Sequence, residues 1–181
     1  MVDDGDVYWV GQGNLQRYPK DAGAVAPLGP QQVGPIALGK GVIYWVSNNV
    51  IRSCATPACT TTTDLTSNDQ QNVRALAADD TFVYWVRGDG VHRCAVGGCA
   101  QNPTVVGRAT TLTLTALALG AADVFFGSDN GVVARCSKTG CGVNPIVLSP
   151  GPGNVSAIAL VAAALYWSNS GGSGGVKRLA R

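Results

Sequence analysis

Hydrophobic positions along this chain come in short bursts, separated by Gly, Asp, Asn and Pro. The most regular burst is Phe82-Val83-Tyr84-Trp85-Val86, followed by Arg87-Gly88-Asp89-Gly90-Val91-His92-Arg93-Cys94. Its aromatic doublet recurs as Tyr8-Trp9, Tyr44-Trp45, Tyr84-Trp85, Phe125-Phe126 and Tyr166-Trp167, with spacings of 36, 40, 41 and 41 residues. A fixed period near 40 is the sequence mark of a repeat architecture.

Four segments recur in each unit. The first is a strand of small residues: Ile36-Ala37-Leu38, Leu76-Ala77-Ala78, Leu117-Ala118-Leu119 and Ile158-Ala159-Leu160, each starting eight residues before the doublet. The doublet strand is the second. The third carries an arginine: Arg17, Arg52, Arg93, Arg135 or Arg178. The fourth is β-branched: Thr104-Val105-Val106 and Ile146-Val147-Leu148, with weaker versions at Val25-Ala26 and Thr61-Thr62-Thr63. The links are turn chemistry. Asp79-Asp80 and Gly39-Lys40-Gly41 part the first strand from the second. Asp89-Gly90 and Asn130-Gly131 part the second from the third, where a two-residue hairpin needs positive φ at both central positions. Pro57, Pro103 and Pro145 stand just before the fourth strand, which cannot yet have begun.

Neighbouring residues on a strand point to opposite faces. A Tyr-Trp doublet therefore demands cover on both sides of its sheet. A sandwich covers one side; a propeller blade, squeezed between two others, is covered on both. Each buried ring contributes about 2–3 kcal/mol, and the polar tip of a buried Tyr or Trp calls for a partner. The sequence thus predicts an all-β fold, a β-propeller of four-stranded antiparallel blades. It forms a single domain over 1–181, with repeat units near 1–32, 33–72, 73–113, 114–154 and 155–181. The first unit lacks its inner strand, of which Val2 to Asp4 is a remnant, and the last ends before a fourth strand. The expected strand count is 3, 4, 4, 4 and 3. That suits four to five blades: a piece of a larger ring, five blades that close imperfectly, or a ring of four closed by Ile158-Ala159-Leu160 with a spare hairpin.

Composition supports strands over helices. All 11 acidic residues are Asp, with no Glu, and there are 24 Gly; Asp favours turns where Glu favours helices. Net charge is +2 and the basic residues are scattered. Nucleic acid, which selects clustered basic surface, is set aside as a partner. No apolar run is long enough for a helix to cross a bilayer. No signal peptide is present, and Met1 leads straight into mid-repeat, as if the start were cut.

The six cysteines fall in three pairs at one place in the repeat: Cys54-Cys59, Cys94-Cys99 and Cys136-Cys141. An even count at repeated spacing reads as disulfides formed in an oxidising compartment, whether secreted, periplasmic or at the cell surface. Each short loop is worth about 2 kcal/mol in the chain-entropy description. Zinc would need two pairs to converge, or a histidine beside one pair; the one histidine is His92 and successive pairs lie on different repeats. No metal and no cofactor is expected.

The Val-Tyr-Trp strand after an Ile-Ala-Leu strand resembles the YWTD-type repeats of LDL-receptor-family propellers. It is more similar to uncharacterised bacterial exported propellers with Tyr-Trp and Cys-x4-Cys in each blade. The resemblance covers essentially the whole chain and implies fold and export. Where YWTD repeats carry Thr-Asp, this chain has Val10-Gly11, Val46-Ser47, Val86-Arg87, Gly127-Ser128 and Ser168-Asn169, so that family's Asp network is not implied.

Candidate ligand-binding residues cluster in the loops after the doublets: Asn48, Asn49, Arg87, Asp89, Asp129, Asn130 and Asn169, with Ser170 beside them. Their amides and carboxylates suit a glycan or polar peptide; their simpler role is to form the turns. Arg87-Gly88-Asp89 matches a three-residue adhesion motif, but Asp89-Gly90 is explained by a hairpin. The repeated arginines are expected to lay their stems over the neighbouring Trp and keep their heads in water. His92 is expected on an exposed strand face. Nothing forms a nucleophile elbow or triad around it, and the paired Asp3-Asp4 and Asp79-Asp80 sit in turns, where neighbouring carboxylates diverge. Asn154-Val155-Ser156 is a formal glycosylation acceptor. The function expected is a non-enzymatic exported module whose partner is another protein or a second copy, acting through its incomplete terminal blades. A lectin-like carbohydrate-binding propeller is the alternative, and a lactonase- or lyase-type enzyme a third reading.

Overall fold

The computed structural model describes residues 1–3, 5–21, 23–31, 33–67, 70–99, 102–162, 164–171 and 174–180. Asp4, one of the paired aspartates at the start of the chain, lies outside them. The described chain is built from strands and turns, and its 18 strands fall into five antiparallel sheets of 3, 4, 4, 4 and 3.

The first sheet is β1 (Asp6–Gly11), β2 (Asn14–Pro19) and β3 (Ala26–Gln31). Met1 to Asp3 begins a fourth strand along the free edge of β1: Val2 bridges to Val7, and Tyr8 N donates to Met1 O at 2.8 Å. The second sheet is β4 (Val33–Gly39), β5 (Val42–Ser47), β6 (Val50–Ala55) and β7 (Thr63–Asp64). The third is β8 (Ala75–Ala78), β9 (Phe82–Arg87), β10 (Gly90–Ala95) and β11 (Thr104–Arg108). The fourth is β12 (Leu114–Leu119), β13 (Asp123–Ser128), β14 (Val133–Ser137) and β15 (Ile146–Ser149). The fifth is β16 (Asn154–Val161), β17 (Ala164–Ser170) and β18 (Gly175–Ala180). Proline sits where a strand can spare its N–H: Pro27 lies in β3, at the edge of its sheet.

The chain gathers into two compact units, Met1–Val83 with Cys94–Pro103, and Tyr84–Arg93 with Thr104–Arg181. In the first, β1 and β8 each pack against β4. Tyr8 and Leu15 share a core with Ile43, Trp45 and Cys54 of the second sheet. In the other unit β12 and β13 pack against β16. Ala116, Phe125 and Val133 share a core there with Val155, Leu165 and Trp167. Each unit thus repeats one arrangement: the first ring of a doublet belongs with the second ring of the doublet one sheet later.

Both rings of Tyr84-Trp85 are fully buried, and Tyr8, Tyr44, Trp45, Phe125, Phe126 and Trp167 are 6% exposed or less. Trp9 and Tyr166, in the terminal sheets, stay half-buried. The polar tips correct one expectation. The indole N–H groups of Trp45, Trp85 and Trp167 are buried without a protein acceptor, so here ring packing outweighs indole hydrogen bonding.

All three cysteine pairs are disulfide-bonded, with Cα–Cα separations of 5.0, 5.3 and 5.4 Å. They do more than close a hairpin, because each bonded turn reaches back to the preceding sheet. Cys54 and Cys59 join the core around Tyr8. Cys99 N donates to Leu65 O at 3.3 Å, just after β7. Cys141 N donates to Val106 O at 2.8 Å, and Arg108 N to Gly142 O at 2.7 Å. Gly107 lies against the last of these bonds; a Cβ there would stand 2.6 Å from Cys136 Sγ.

Turn chemistry also departs from expectation at two hairpins. Positive φ at both central residues occurs at Asn48-Asn49 (51° and 62°) and Gln12-Gly13 (53° and 77°). At Asp89-Gly90 and Asn130-Gly131 only the glycine has positive φ. Close backbone approach explains why glycine is needed at the first of these: a Cβ on Gly90 would meet Gly107 O at 2.1 Å.

Candidate functional site

The candidate ligand residues separate into groups, each tied into its own repeat. Asn48 and Asn49 form the β5–β6 turn and line a cleft of about 380 Å³ together with Ser47, Gln70 and Asn72. Gln70 is 1% exposed and its N–H donates to Asn49 O at 2.9 Å, which fixes the far wall. Asn48 and Asn49 are themselves exposed, with left-handed backbone at both positions. The cleft therefore offers several amides on a shaped floor, the chemistry that recognises hydroxyl-rich ligands.

Arg87 and Asp89 form a second group with His92, which corrects the sequence expectation for that histidine. His92 is buried, 1% exposed, and its ring stacks on Trp85 with centroids 5.8 Å apart. Its Nε2 lies 2.8 Å from Asp89 Oδ1, and Arg87 Nε donates to the same oxygen at 2.9 Å. Burial pushes the His92 pKa below its ordinary value, against the pull of Asp89. Burial also raises the Asp89 carboxyl, but hydrogen bonds from Arg87 and His92 outweigh it and leave the pKa lowered. His92 Nδ1 is buried with no hydrogen-bond partner. No alternation in β10 marked this: Gly90, Val91 and His92 are buried in succession.

Asp129 and Asn130 share the β13–β14 turn and are exposed. Ser128 Oγ donates to Asn130 Oδ1 at 2.6 Å, and Asp129 N donates to Thr113 O at 2.9 Å. Asn169 is buried, 7% exposed, and its Nδ2 donates to Pro152 O, so its amide braces the loop before β16. Ser170 is exposed.

The arginines also depart from expectation: four of the five have bonded heads instead of wet ones. Arg17 Nε lies 2.8 Å from Asp6 Oδ1, Arg52 Nε 2.7 Å from Asp64 Oδ1, and Arg135 Nη1 2.8 Å from Asp123 Oδ2. Arg93 Nη1 donates to Lys138 O at 2.6 Å. Asp6 and Asp123 each stand two residues before the doublet, a signal that sequence reasoning missed. Tyr8 OH donates to Asp6 Oδ2 at 3.2 Å; burial pushes its pKa up to about 12 although Thr56 pulls it down. A further feature is an apolar cleft of about 300 Å³ between the fourth and fifth sheets, lined by Phe125, Leu148, Leu165 and Leu179 with Arg135 beside them.

Among the described residues no group of three or more His, Cys, Asp or Glu is placed to hold a metal ion. Among the described residues no helix is long and apolar enough to cross a membrane.

No protein-family model matches the chain, and no curated protein matches it by sequence. Solved structures do match. The computationally designed Ika8 protein superposes over 100% of this chain with a TM-score of 0.71 at 17% identity. The nidogen/laminin complex matches 92% of it with a TM-score of 0.73 at 17% identity, over 68% of that chain. Virginiamycin B lyase from Staphylococcus aureus matches 91% at TM-score 0.72 and 14% identity. The fold is that of a β-propeller. At these identities the likeness speaks of architecture alone. The present chain spans 57% of the Ika8 chain and 59% of the lyase, so it is similar to part of larger propellers.

Proposed function

We propose that this chain is a non-enzymatic, exported binding module that works by protein–protein contact, including contact with further copies of itself. The observation that carries this reading is the state of the terminal sheets. Each has three strands, and β18 is the outer strand of the fifth sheet, paired with β17. Val161 and Val176 of the fifth sheet are 59% and 76% exposed. Open edges and exposed apolar faces are association surfaces. Three disulfides suggest an oxidising compartment and so support export. The repeated Tyr-Trp and Cys-x4-Cys pattern supports kinship with exported YWTD-like propellers. The buried His92, with its free nitrogen turned away from solvent, argues against a role as general base. Light scattering across a concentration series tests the reading: mass should rise above 18.5 kDa with concentration. A mass fixed at the monomer value refutes self-association.

A second reading rests on the amide-lined cleft at Asn48 and Asn49, whose chemistry and volume of about 380 Å³ suit one or two sugar rings. A glycan array tests it; signal abolished by Asn49→Ala supports a carbohydrate site, and a blank array with the soluble protein rejects it.

A further inference from the structure

The inter-sheet arrangement found in each compact unit has a definite polarity. Tyr8 shares its core with Trp45, and Phe125 shares its core with Trp167. In each of these two pairs the earlier sheet offers its first-ring face and the later sheet its second-ring face. The first sheet also has a Trp9 face, and the fifth a Tyr166 face, on the sides away from these contacts. Those are the two doublet rings that remain half-buried, while the other eight are 6% exposed or less.

The Tyr166 face copies one that is already covered. Across the fourth sheet Ala118, Phe125 and Arg135 lie opposite one another in a row, and Phe125 shares its core with Trp167. Across the fifth sheet the same row reads Ala159, Tyr166 and Arg178. On either side lie Ala157 and Val161 of β16 and Val176 of β18, all exposed. Small residues on the inner strand let a neighbouring sheet come close, as Ala116 and Ala118 do in the fourth sheet. On the Trp9 face, Trp9 stands opposite Gln16, and Val7 opposite Tyr18, which is 37% exposed. Trp9 is therefore the ring that the Ala159–Tyr166–Arg178 row lacks.

We propose that the Tyr166 face of one copy docks on the Trp9 face of a second copy, head to tail, continuing the packing that already joins the sheets within each unit. This rests on the self-association reading above and specifies its geometry. The contact is heterologous, since the two faces differ. Each copy added leaves one Trp9 face and one Tyr166 face free until the assembly closes into a ring or runs on as a filament.

Complementation separates this from association through the β18 edge or any other surface. Trp9→Lys spoils one face and Tyr166→Lys the other; using lysine twice prevents the altered faces from pairing with each other. By light scattering each variant alone should remain at 18.5 kDa where the unaltered chain is larger. An equimolar mixture should form a one-to-one dimer, because each variant retains the face its partner has lost. Self-affinity of either variant should fall about 100-fold or more, as expected for an aromatic at the centre of an interface. Val176→Lys, at a 76% exposed position on the same face, repeats the test without touching a packed ring should Tyr166→Lys fail to fold. If the single variants associate as well as the unaltered chain, or the mixture stays monomeric while the unaltered chain assembles, the face pairing is wrong and self-association stands. An unaltered chain that is monomeric at every concentration overturns both.

Discussion

Replacing Gly107 by alanine isolates the role of the Cys136–Cys141 turn as a clamp between consecutive sheets. The added methyl would lie 2.6 Å from Cys136 Sγ and 2.9 Å from Cys141 Sγ. Both distances are about 1 Å inside ordinary contact. The sulfurs cannot simply retreat, since the same turn is pinned by Cys141 N to Val106 O at 2.8 Å and by Arg108 N to Gly142 O at 2.7 Å. Overpacking of this kind costs about 1–3 kcal/mol. Gly107 does not have positive φ, so alanine also gains about 0.4–1 kcal/mol by restricting the unfolded chain. The net expectation is a loss of about 1–2 kcal/mol. In a Cys136→Ala/Cys141→Ala background the obstruction is gone and only the entropic gain remains, so Gly107→Ala should become neutral or slightly stabilising there. Urea denaturation followed by tryptophan fluorescence reads both effects as shifts in midpoint at constant slope. An equal loss in the two backgrounds refutes the clamp, because the coupling between Gly107 and the disulfide would then be zero.

Acid should destabilise the chain through His92 before it does so through the carboxylates. The folded pKa lies below the ordinary histidine value, so the unfolded chain takes up the proton first. Stability is therefore complete above the unfolded value of about 6.5 and falls as pH drops from there towards the folded value; denaturation midpoints measured across that window should slope in the native chain and flatten in His92→Phe. A second fall belongs to Asp89, whose pKa is lowered; its share is present above the usual carboxylate value and disappears as pH drops through the folded one, a step absent from Asp89→Asn. The Arg135–Asp123 pair is partly exposed, with side chains 37% and 17% accessible, so Asp123→Asn should cost only about 0.5 kcal/mol, with less effect in high salt. Removing Cys94–Cys99 by a double alanine substitution should cost about 2 kcal/mol from loop entropy. A further loss should come from the contact with Leu65, seen as faster hydrogen exchange at the amide of position 99, which in the unaltered chain is Cys99 N donating to Leu65 O.

Much of the fold could be read from the sequence because the repeat multiplies weak signals. One Tyr-Trp doublet is ambiguous, but five at nearly constant spacing fix the strand positions, the strand count of each sheet and the need for cover on both faces. The weakest strands show the limit. Thr61-Thr62-Thr63 gives a strand of two residues, Thr63–Asp64, because β7 is an outer strand whose two residues are both exposed, and no burial pattern marks it. The cysteine pairing was equally accessible, since an even count recurring at one place in each repeat reads as short-range disulfides. That the bonded turns grip the preceding sheet was not, because it depends on contacts about 30 to 35 residues apart, such as Cys99 to Leu65.

The candidate site was less legible, and for a physical reason. Asn, Asp, Arg and Gly are chosen by hairpins as readily as by ligands, so residue type at a turn does not separate the two roles. The coordinates do separate them, through where each polar atom is spent. Asn169 uses its amide on Pro152 O, and Arg87 and Asp89 are spent on His92 and each other. Asn48 and Asn49 keep their side chains exposed beside a cleft. The proposed self-association draws on residues outside the loops. A polar loop residue can satisfy itself locally, but the doublet rings gain cover from a neighbouring sheet, as Tyr8 does with Trp45 and Phe125 with Trp167. Trp9 and Tyr166 differ from the other rings in being half-buried, although their sequence signal is identical to that of the buried doublets.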